Sequence, residues 1–411
     1  MVREREKPAS GNEPEFPDER HLRSGALFSA LVNSSVNETA VRPRGSLRLK
    51  ARTQLPVLQE ALGARTIRKV ATPSCSRRRG CGKLLSDNGR QASFNRGRDI
   101  PDAGDLMKNV DVALSVYGKP YQTAVSLLSL LKHSGSHIDK IYFQEERNQP
   151  FGDCVSFILP WFSDHDVVHY IPPLHLGLCR MKGPADTKRL SDENFRRSIK
   201  YQRAWEDSDK NYLFIMHNDC LFTQDIVGGM LQRLDGQPYV GVGHVGQCWN
   251  CPASHAKVCN GDLHESYNPS YSEVIELIKS HPSPRTKLND IDPESPMPLP
   301  ECRLNEFACM INIGRVRHLV APHGDVLPFG TCGLDIGTDW YRSMVCRGYR
   351  FLNWYEGMTH SWCGGPGHVS ETNEDLYFQF EQKARDYLQN YYSFVIPNFE
   401  SPSPRTHHPS L

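Results

Sequence analysis

"YLFIMHNDCLF", residues 212–222, decides how the fold is read. Tyr212, Leu213, Phe214, Ile215 and Met216 form a continuous apolar run of the kind that a strand buried on both faces requires. His217, Asn218 and Asp219 follow at once, and the chain turns apolar again from Cys220 to Phe222. Leaving such groups buried and unpaired costs about 1–3 kcal/mol each, more if charged. They are therefore satisfied by protein partners, or they are displayed at the carboxyl edge of a sheet for a metal or a diphosphate.

Working outward from that strand, "VDVALSVYGKP" (110–120) reads as an earlier strand closed by Gly118 and Pro120. Residues 121–135 follow as a helix with Ala124, Val125, Leu127, Leu128 and Leu131 on one face, stopped by Gly135. "DKIYFQEE" (139–146) is a second strand ending in Glu145 and Glu146, and "DVVHYI" (166–171) a third. The spacing in "SDENFRRSIKYQRAWED" (191–207) predicts one helix behind a capping residue, with another over 225–234. This alternation implies an α/β fold: a mostly parallel sheet with right-handed crossovers and helices on both faces. Ligands of such sheets bind outside the carboxyl ends of the strands, where the acidic pair and the His-Asn-Asp trio both fall.

Charge divides the chain. Between Val41 and Arg98 there are 15 Lys or Arg against two acidic residues, although the net charge of all 411 residues is only +1. Residues 1–106 are expected to be a disordered basic arm, or a non-native extension ahead of a true start at Met107. Within it, "SCSRRRGCGK" (74–83) raises nucleic-acid or metal binding by Cys75 and Cys81 against the simpler solvated arm. A folded domain is expected over 107–395, with a disordered tail over 396–411. No stretch approaches the ~18 consecutive apolar residues of a membrane span, and the N-terminus lacks a signal-peptide core. The 13 cysteines then read as thiols or metal ligands rather than a disulfide framework. A cytoplasmic protein is expected, with peripheral contact at the inner face of a membrane left open.

Four stretches in this order resemble the family 2 glycosyltransferases, which have the GT-A fold, a Rossmann-like sheet binding nucleotide-diphospho-sugars. "VALSVYGKPYQTAVSLLSLL" (112–131) is similar to the family's opening strand, turn and first helix, and Tyr117 falls in that turn. "YLFIMHNDC" (212–220) resembles the strand carrying its D-x-D metal motif, with His217 replacing the first Asp and Asp219 retained. "GLDIGTDWYRSMVCRGYRFLNW" (333–354) is similar to its acidic acceptor helix, and "GMTHSWCGGPGH" (357–368) to its late His loop.

The resemblance implies an inverting transfer of a sugar from a nucleotide-diphosphate donor to an acceptor hydroxyl on a glycan, a lipid-linked sugar or a protein. A divalent cation, manganese or magnesium, would clamp the leaving diphosphate, with Asp219, His217 and His360 as ligands; imidazole favours manganese. Tyr117, Glu145, Glu146, Arg203 and His217 would contact the donor. One of the two glutamates is expected to be functional and the other solvated. A single Asp base is needed, Asp339 before Asp335, with Trp340 and Tyr341 stacking on a sugar and Arg342 keeping a neighbouring carboxylate ionised. Both aspartates also fit a plain helix N-terminus.

"GQCWNCPASHAKVCNG" (246–261) opens a Cys- and Pro-rich insertion, 245–302. Cys248 and Cys251, with Cys259 and Cys302, form a candidate structural zinc site or a set of free thiols. Two rivals remain: a sugar nucleotidyltransferase, disfavoured because "SVYGKPYQ" (115–122) offers one Gly and one Lys for phosphate, and a zinc- and nucleic-acid-binding protein. The second would leave the features of 333–370 without a role, so nucleic acid is not the expected partner.

Overall fold

Burial on both faces marks β1 (Val110–Val116), whose valines and Leu114 enter one core layer while Ala113 enters the other. The computed structural model describes residues 108–152, 154–181, 183–364 and 372–392. The arm over 1–106, with Cys75 and Cys81, and the tail over 396–411 lie outside the described residues. The strands that follow are β2 (Ile138–Glu145), β3 (Asp166–Tyr170), β4 (Tyr212–Met216) and β5 (Cys220–Phe222). After them come β6 (Tyr239–Val245), β7 (Leu304–Asn312), β8 (Arg350–Asn353) and β9 (Met358–His360).

Seven strands make one sheet in the order β3-β2-β1-β4-β7-β6-β8. The first four run parallel, β7 is antiparallel to both its neighbours, and β6 and β8 are parallel. The order reverses between β1 and β4, which opens a ligand crevice at their carboxyl ends. β5 and β9 form a separate antiparallel ribbon that pairs Cys220 with His360.

Helices cover both faces. On one lie α1 (Pro120–Ser134), a helix we call α4 (Ile226–Leu234) and the terminal α7 (Glu374–Tyr392), which contribute Leu127, Met230 and Leu388 to the core. The other face holds α3 (Gln202–Asp207), α5 (Tyr271–Ser280) and α6 (Thr338–Cys346), through Trp205, Ile278 and Trp340. This is the mostly parallel α/β sheet with two helical layers that the GT-A resemblance implies. No described helix is long and apolar enough to cross a membrane.

The single helix expected over 191–207 is two. Asp192 caps α2 (Glu193–Arg197), and the chain breaks at Tyr201, whose φ of 65° is left-handed. Tyr201 packs on Phe329, and α3 then directs Trp205 onto Trp340. A buried fork from Arg196 to Glu206 ties the two short helices together.

Candidate active site

The turn after β1 is shaped by Gly118, with φ +63°. A Cβ there would lie 2.5 Å from Pro150 Cγ and 2.6 Å from the Tyr377 hydroxyl, so only glycine fits. Lys119 is also left-handed, and its backbone N–H donates to that hydroxyl at 2.7 Å. Its side chain turns inward, and Nζ lies 3.3 Å from Asp219 Oδ2 with both side chains 5% exposed.

The trio after β4 divides its work. Asn218 is the stitch: its amide donates to Gly118 O at 3.0 Å and to Thr123 Oγ1 at 3.1 Å, joining the β4 and β1 loops. Asp219 is buried, and its Oδ1 has no well-directed hydrogen bond. That oxygen lies 3.3 Å from His360 Nε2 and 3.9 Å from His217 Nδ1. The two imidazole nitrogens are 3.1 Å apart. The β5–β9 pairing carries His360 into this position, and its ring stacks on Phe307 at 4.8 Å.

On the far side of His217, Nε2 lies 3.3 Å from Glu306 Oε1 on β7. Arg303 reaches Glu306 Oε2 at 2.5 Å and Asp335 Oδ1 at 3.3 Å. The other Asp335 oxygen accepts from Gln247 and Arg285 at 2.5 and 3.0 Å. A continuous charged line thus runs from the triad to Asp335. Burial opposes ionisation of Asp219, yet Lys119, His360 and His217 hold its carboxyl well below the usual range. Burial is likewise overcome at Glu306, by Arg303 and His217.

His217, Asp219 and His360 offer three ligand atoms within 4.8 Å of one another. Bonds of about 2.1 Å to a transition metal place neighbouring ligand atoms about 3 Å apart, close to the 3.1 and 3.3 Å found between His217, His360 and Asp219. Glu306 on the outer nitrogen of His217 is the carboxylate support that metal-bound histidines require. Donor set, spacing and the unsatisfied Asp219 oxygen all fit a divalent cation.

Other expected residues take different places. Tyr117 is half-buried at the end of β1. Neither glutamate is solvated: Glu145 is 2.8 Å from His169 Nε2, and Glu146 accepts from Ser115 at 2.7 Å. Arg203 donates to Asp207 at 3.2 Å and lies over the Tyr170 ring, so its charge is taken up within its own layer.

Asp335 precedes α6 and Asp339 lies in its first turn, so the two do not share one regular helical turn. Burial raises the Asp339 carboxyl above its ordinary range. Trp340 and Tyr341 are fully buried against Phe351 and do not face a ligand, a correction to their expected stacking role. Arg342 donates to the carbonyls of Pro298 and Ser295.

Cys248, Cys251, Cys259 and Cys302 all line one small cavity of about 20 Å³. All four are free. Thiol–thiol hydrogen bonding lowers Cys251 and, with burial, raises Cys302, while burial raises Cys259 to about 12. Among the described residues, it is the His-Asp-His group that has metal-ligand spacing, and the four thiols do not join it.

Arg303 and Glu306 were not singled out from sequence, and Lys119 entered only as the single Lys of "SVYGKPYQ" that disfavoured a nucleotidyltransferase. The signal for Glu306 was present as a carboxylate inside "LNEFACMIN" (304–312), a strand buried along its whole length. A lone Lys in a turn carries no comparable signal.

No protein-family model matches the sequence, and no curated protein sequence matches it. Solved structures similar to the chain include a mannosyltransferase from Pyrobaculum calidifontis in complex with GDP-Man and Mn2+, at 11% identity and a TM-score of 0.38. That match covers 68% of this chain, which spans only 64% of the mannosyltransferase's length. Mouse xyloside xylosyltransferase 1, in its apo form, is 11% identical over 59% of this chain and 85% of its own, with a TM-score of 0.34. Glucosyl-3-phosphoglycerate synthase from Mycobacterium tuberculosis, with Mn2+, UDP-glucose and phosphoglyceric acid, is 10% identical over 68% and 81%, with a TM-score of 0.33. These superpositions are loose. The architecture stands on the strand order and the site on its own distances.

Proposed function

We propose that the chain is a nucleotide-sugar-dependent glycosyltransferase that uses a divalent cation, with manganese preferred over magnesium because two of three ligands are imidazoles. The observation that carries the reading is the His217–Asp219–His360 set at the β1–β4 crevice, with one buried Asp219 oxygen unsatisfied. His217, Asp219 and His360 would hold the cation, which when bound supplies Lewis-acid neutralisation of a leaving diphosphate.

The remaining work falls to the chain's own side chains. Lys119 donates to a diphosphate oxygen beside Asp219, and Glu306 keeps the Nδ1 face of His217 turned toward the crevice. Tyr117 and the β2 end, with Glu145 and Glu146, flank the donor's nucleoside. Asp339, whose carboxyl burial raises above its ordinary range with Arg342 opposing, takes the proton of the acceptor hydroxyl in a single inverting displacement. Asp335, clamped by Arg303, Arg285 and Gln247, positions the acceptor side. The acceptor is a hydroxyl of a glycan, a lipid-linked sugar or a protein. A structural zinc has no part in this reading.

The test incubates the full chain with UDP- and GDP-sugars and Mn2+ and follows release of nucleoside diphosphate. Release that Asp219→Asn abolishes is expected. No release from any donor, or release unchanged in Asp219→Asn, overturns the reading. A buried Lys after β1 is also what a sugar nucleotidyltransferase would use, and release of pyrophosphate from a nucleoside triphosphate and a sugar 1-phosphate, supplied in a second assay, would mark that reaction instead.

A further inference from the structure

A run of aromatic rings begins at the triad. His360 stacks on Phe307 with planes 15° apart. Phe307 contacts His244 at 5.6 Å and Tyr355 at 6.3 Å. His244 in turn contacts Tyr355 at 4.6 Å and lies at 29° to the Trp249 ring, 6.0 Å away. The inner end of the run is buried, with Phe307 8% exposed; at the outer end Tyr355 is 39% and Trp249 54% exposed. Five stretches of chain supply these rings: the end of β6, the loop after it, β7, the β8–β9 connection and β9. Scattered exposed aromatics are ordinary on a protein surface, but two exposed rings packed around one imidazole next to a metal-ligand set are not scattered.

The polar surroundings narrow the class of ligand. Burial and Arg303 push His244 down to about 4, so its imidazole is neutral at ordinary pH. Asp262 is solvent-exposed, and its charge acts on both His244 and Tyr355. One of its oxygens accepts from Asn353 at 2.7 Å. Flat apolar faces beside an exposed carboxylate suit a neutral ring with C–H groups on one face and hydroxyls on its rim. They disfavour an anionic nucleotide, whose diphosphate has Lys119 instead.

We propose that Trp249 and Tyr355 form a carbohydrate subsite for a pyranose ring of the acceptor, linked to the His360 end of the crevice through Phe307 and His244. The subsite rests on the glycosyltransferase reading and deepens it. It also moves the sugar-stacking role from Trp340 and Tyr341, which are core, to rings that solvent reaches.

Saturation-transfer NMR on the full chain, without donor, tests this with methyl β-glucopyranoside, methyl β-galactopyranoside and methyl α-mannopyranoside as probes. Contact through the ring C–H protons of at least one glycoside is expected. Trp249→Ala and Tyr355→Ala should each weaken it about ten-fold, and Trp249→Phe should restore most of it. Mn2+ binding read by EPR, and UDP or GDP binding read by calorimetry, should be unchanged in all three variants, which also reports an intact fold. No contact with any glycoside, or equal contact in the alanine variants, overturns the subsite. Failure of the underlying reading looks different: sugar contact that needs Trp249, in a chain binding neither Mn2+ nor UDP nor GDP, keeps the subsite and removes the glycosyltransferase.

Discussion

His217 Nδ1 and His360 Nε2 face each other at 3.1 Å although 143 residues separate them in the chain. Glu306 sits against the other nitrogen of His217 at 3.3 Å, which favours the tautomer carrying its proton on Nε2. Nδ1 then presents a lone pair toward His360 and the unsatisfied oxygen of Asp219. Three converging donors repel one another unless a proton or a cation lies between them. The site is built with electron pairs to share.

Glu306 should therefore govern metal affinity without touching the metal. Glu306→Gln keeps the shape but no longer fixes the His217 tautomer by charge. Mn2+ affinity, read by EPR, should fall about 10–100-fold, as supporting carboxylates of metal-bound histidines do when lost. The variant should also melt earlier, because Arg303 is left buried with one partner fewer. Unchanged Mn2+ affinity would remove Glu306 from the site.

Lys119 should act on phosphate and not on the nucleoside. Its Nζ lies beside Asp219 in the crevice, and Lys119→Met keeps the length of the stem while removing the charge. Binding of UDP or GDP should weaken by about ten-fold or more, a charge-assisted hydrogen bond being worth about 1.5–3 kcal/mol. Binding of uridine or guanosine should hardly change. Equal losses for nucleotide and nucleoside would mean that Lys119 merely supports the turn.

How much of this was legible follows from burial and range. β1, β2 and β4 are apolar runs covered on both faces, so composition alone marks them, and Asp219 follows from its place after such a run. β7 was not marked, because two polar groups interrupt it: Asn305, whose amide donates to the His244 and Gly246 carbonyls, and Glu306, which supports His217. His360 was proposed only by resemblance, and what brings it to Asp219 is the pairing of two three-residue strands, which no local pattern announces. Trp340 and Tyr341 looked like a sugar platform because an aromatic beside an acid carries no mark of which way it points. The same holds for Arg203, whose partner Asp207 lies one helical turn away and takes up its charge.

The four clustered cysteines should behave as free thiols. A tetrahedral zinc site with bonds of about 2.3 Å draws its sulfurs to within about 4 Å of one another. Among the described residues the four thiols do not come together at that spacing, and the cavity of about 20 Å³ that they help to line has room for about one water. Elemental analysis of chain purified without chelator should show well under one zinc per molecule. Thiol titration should count the buried Cys251, Cys259 and Cys302 only after unfolding, with the half-buried Cys248 reacting earlier. One tightly held zinc per chain, retained through dialysis and lost in Cys302→Ser, would reverse this.

The two candidate bases should separate by stability as well as by rate. Asp339 is pushed above its ordinary range by burial, with only Arg342 opposing. A carboxyl whose folded-state value is raised contributes stability below its unfolded value of about 3.9 and loses it as pH rises through the folded value. At neutral pH the ionised Asp339 is therefore a cost to the fold. Asp339→Asn should raise the melting temperature at pH 7, with the gain shrinking as pH falls toward 4, while transfer drops by about 10²–10⁴. Asp335 differs in its hydrogen-bond partners. Both of its oxygens are held by Arg303, Arg285 and Gln247, so Asp335→Asn should destabilise by about 1–3 kcal/mol at neutral pH. Its transfer rate should fall less than that of Asp339→Asn once the variant is assayed below its own melting range. Donor affinity, measured as UDP or GDP binding with Mn2+, should survive in Asp339→Asn. A variant that gains stability and loses transfer while keeping the donor carries the mark of a group held in a costly state for chemistry. Full transfer by Asp339→Asn, together with collapse in a folded Asp335→Asn, would hand the proton to Asp335. Its clamp of two guanidiniums would then have to loosen when the acceptor arrives.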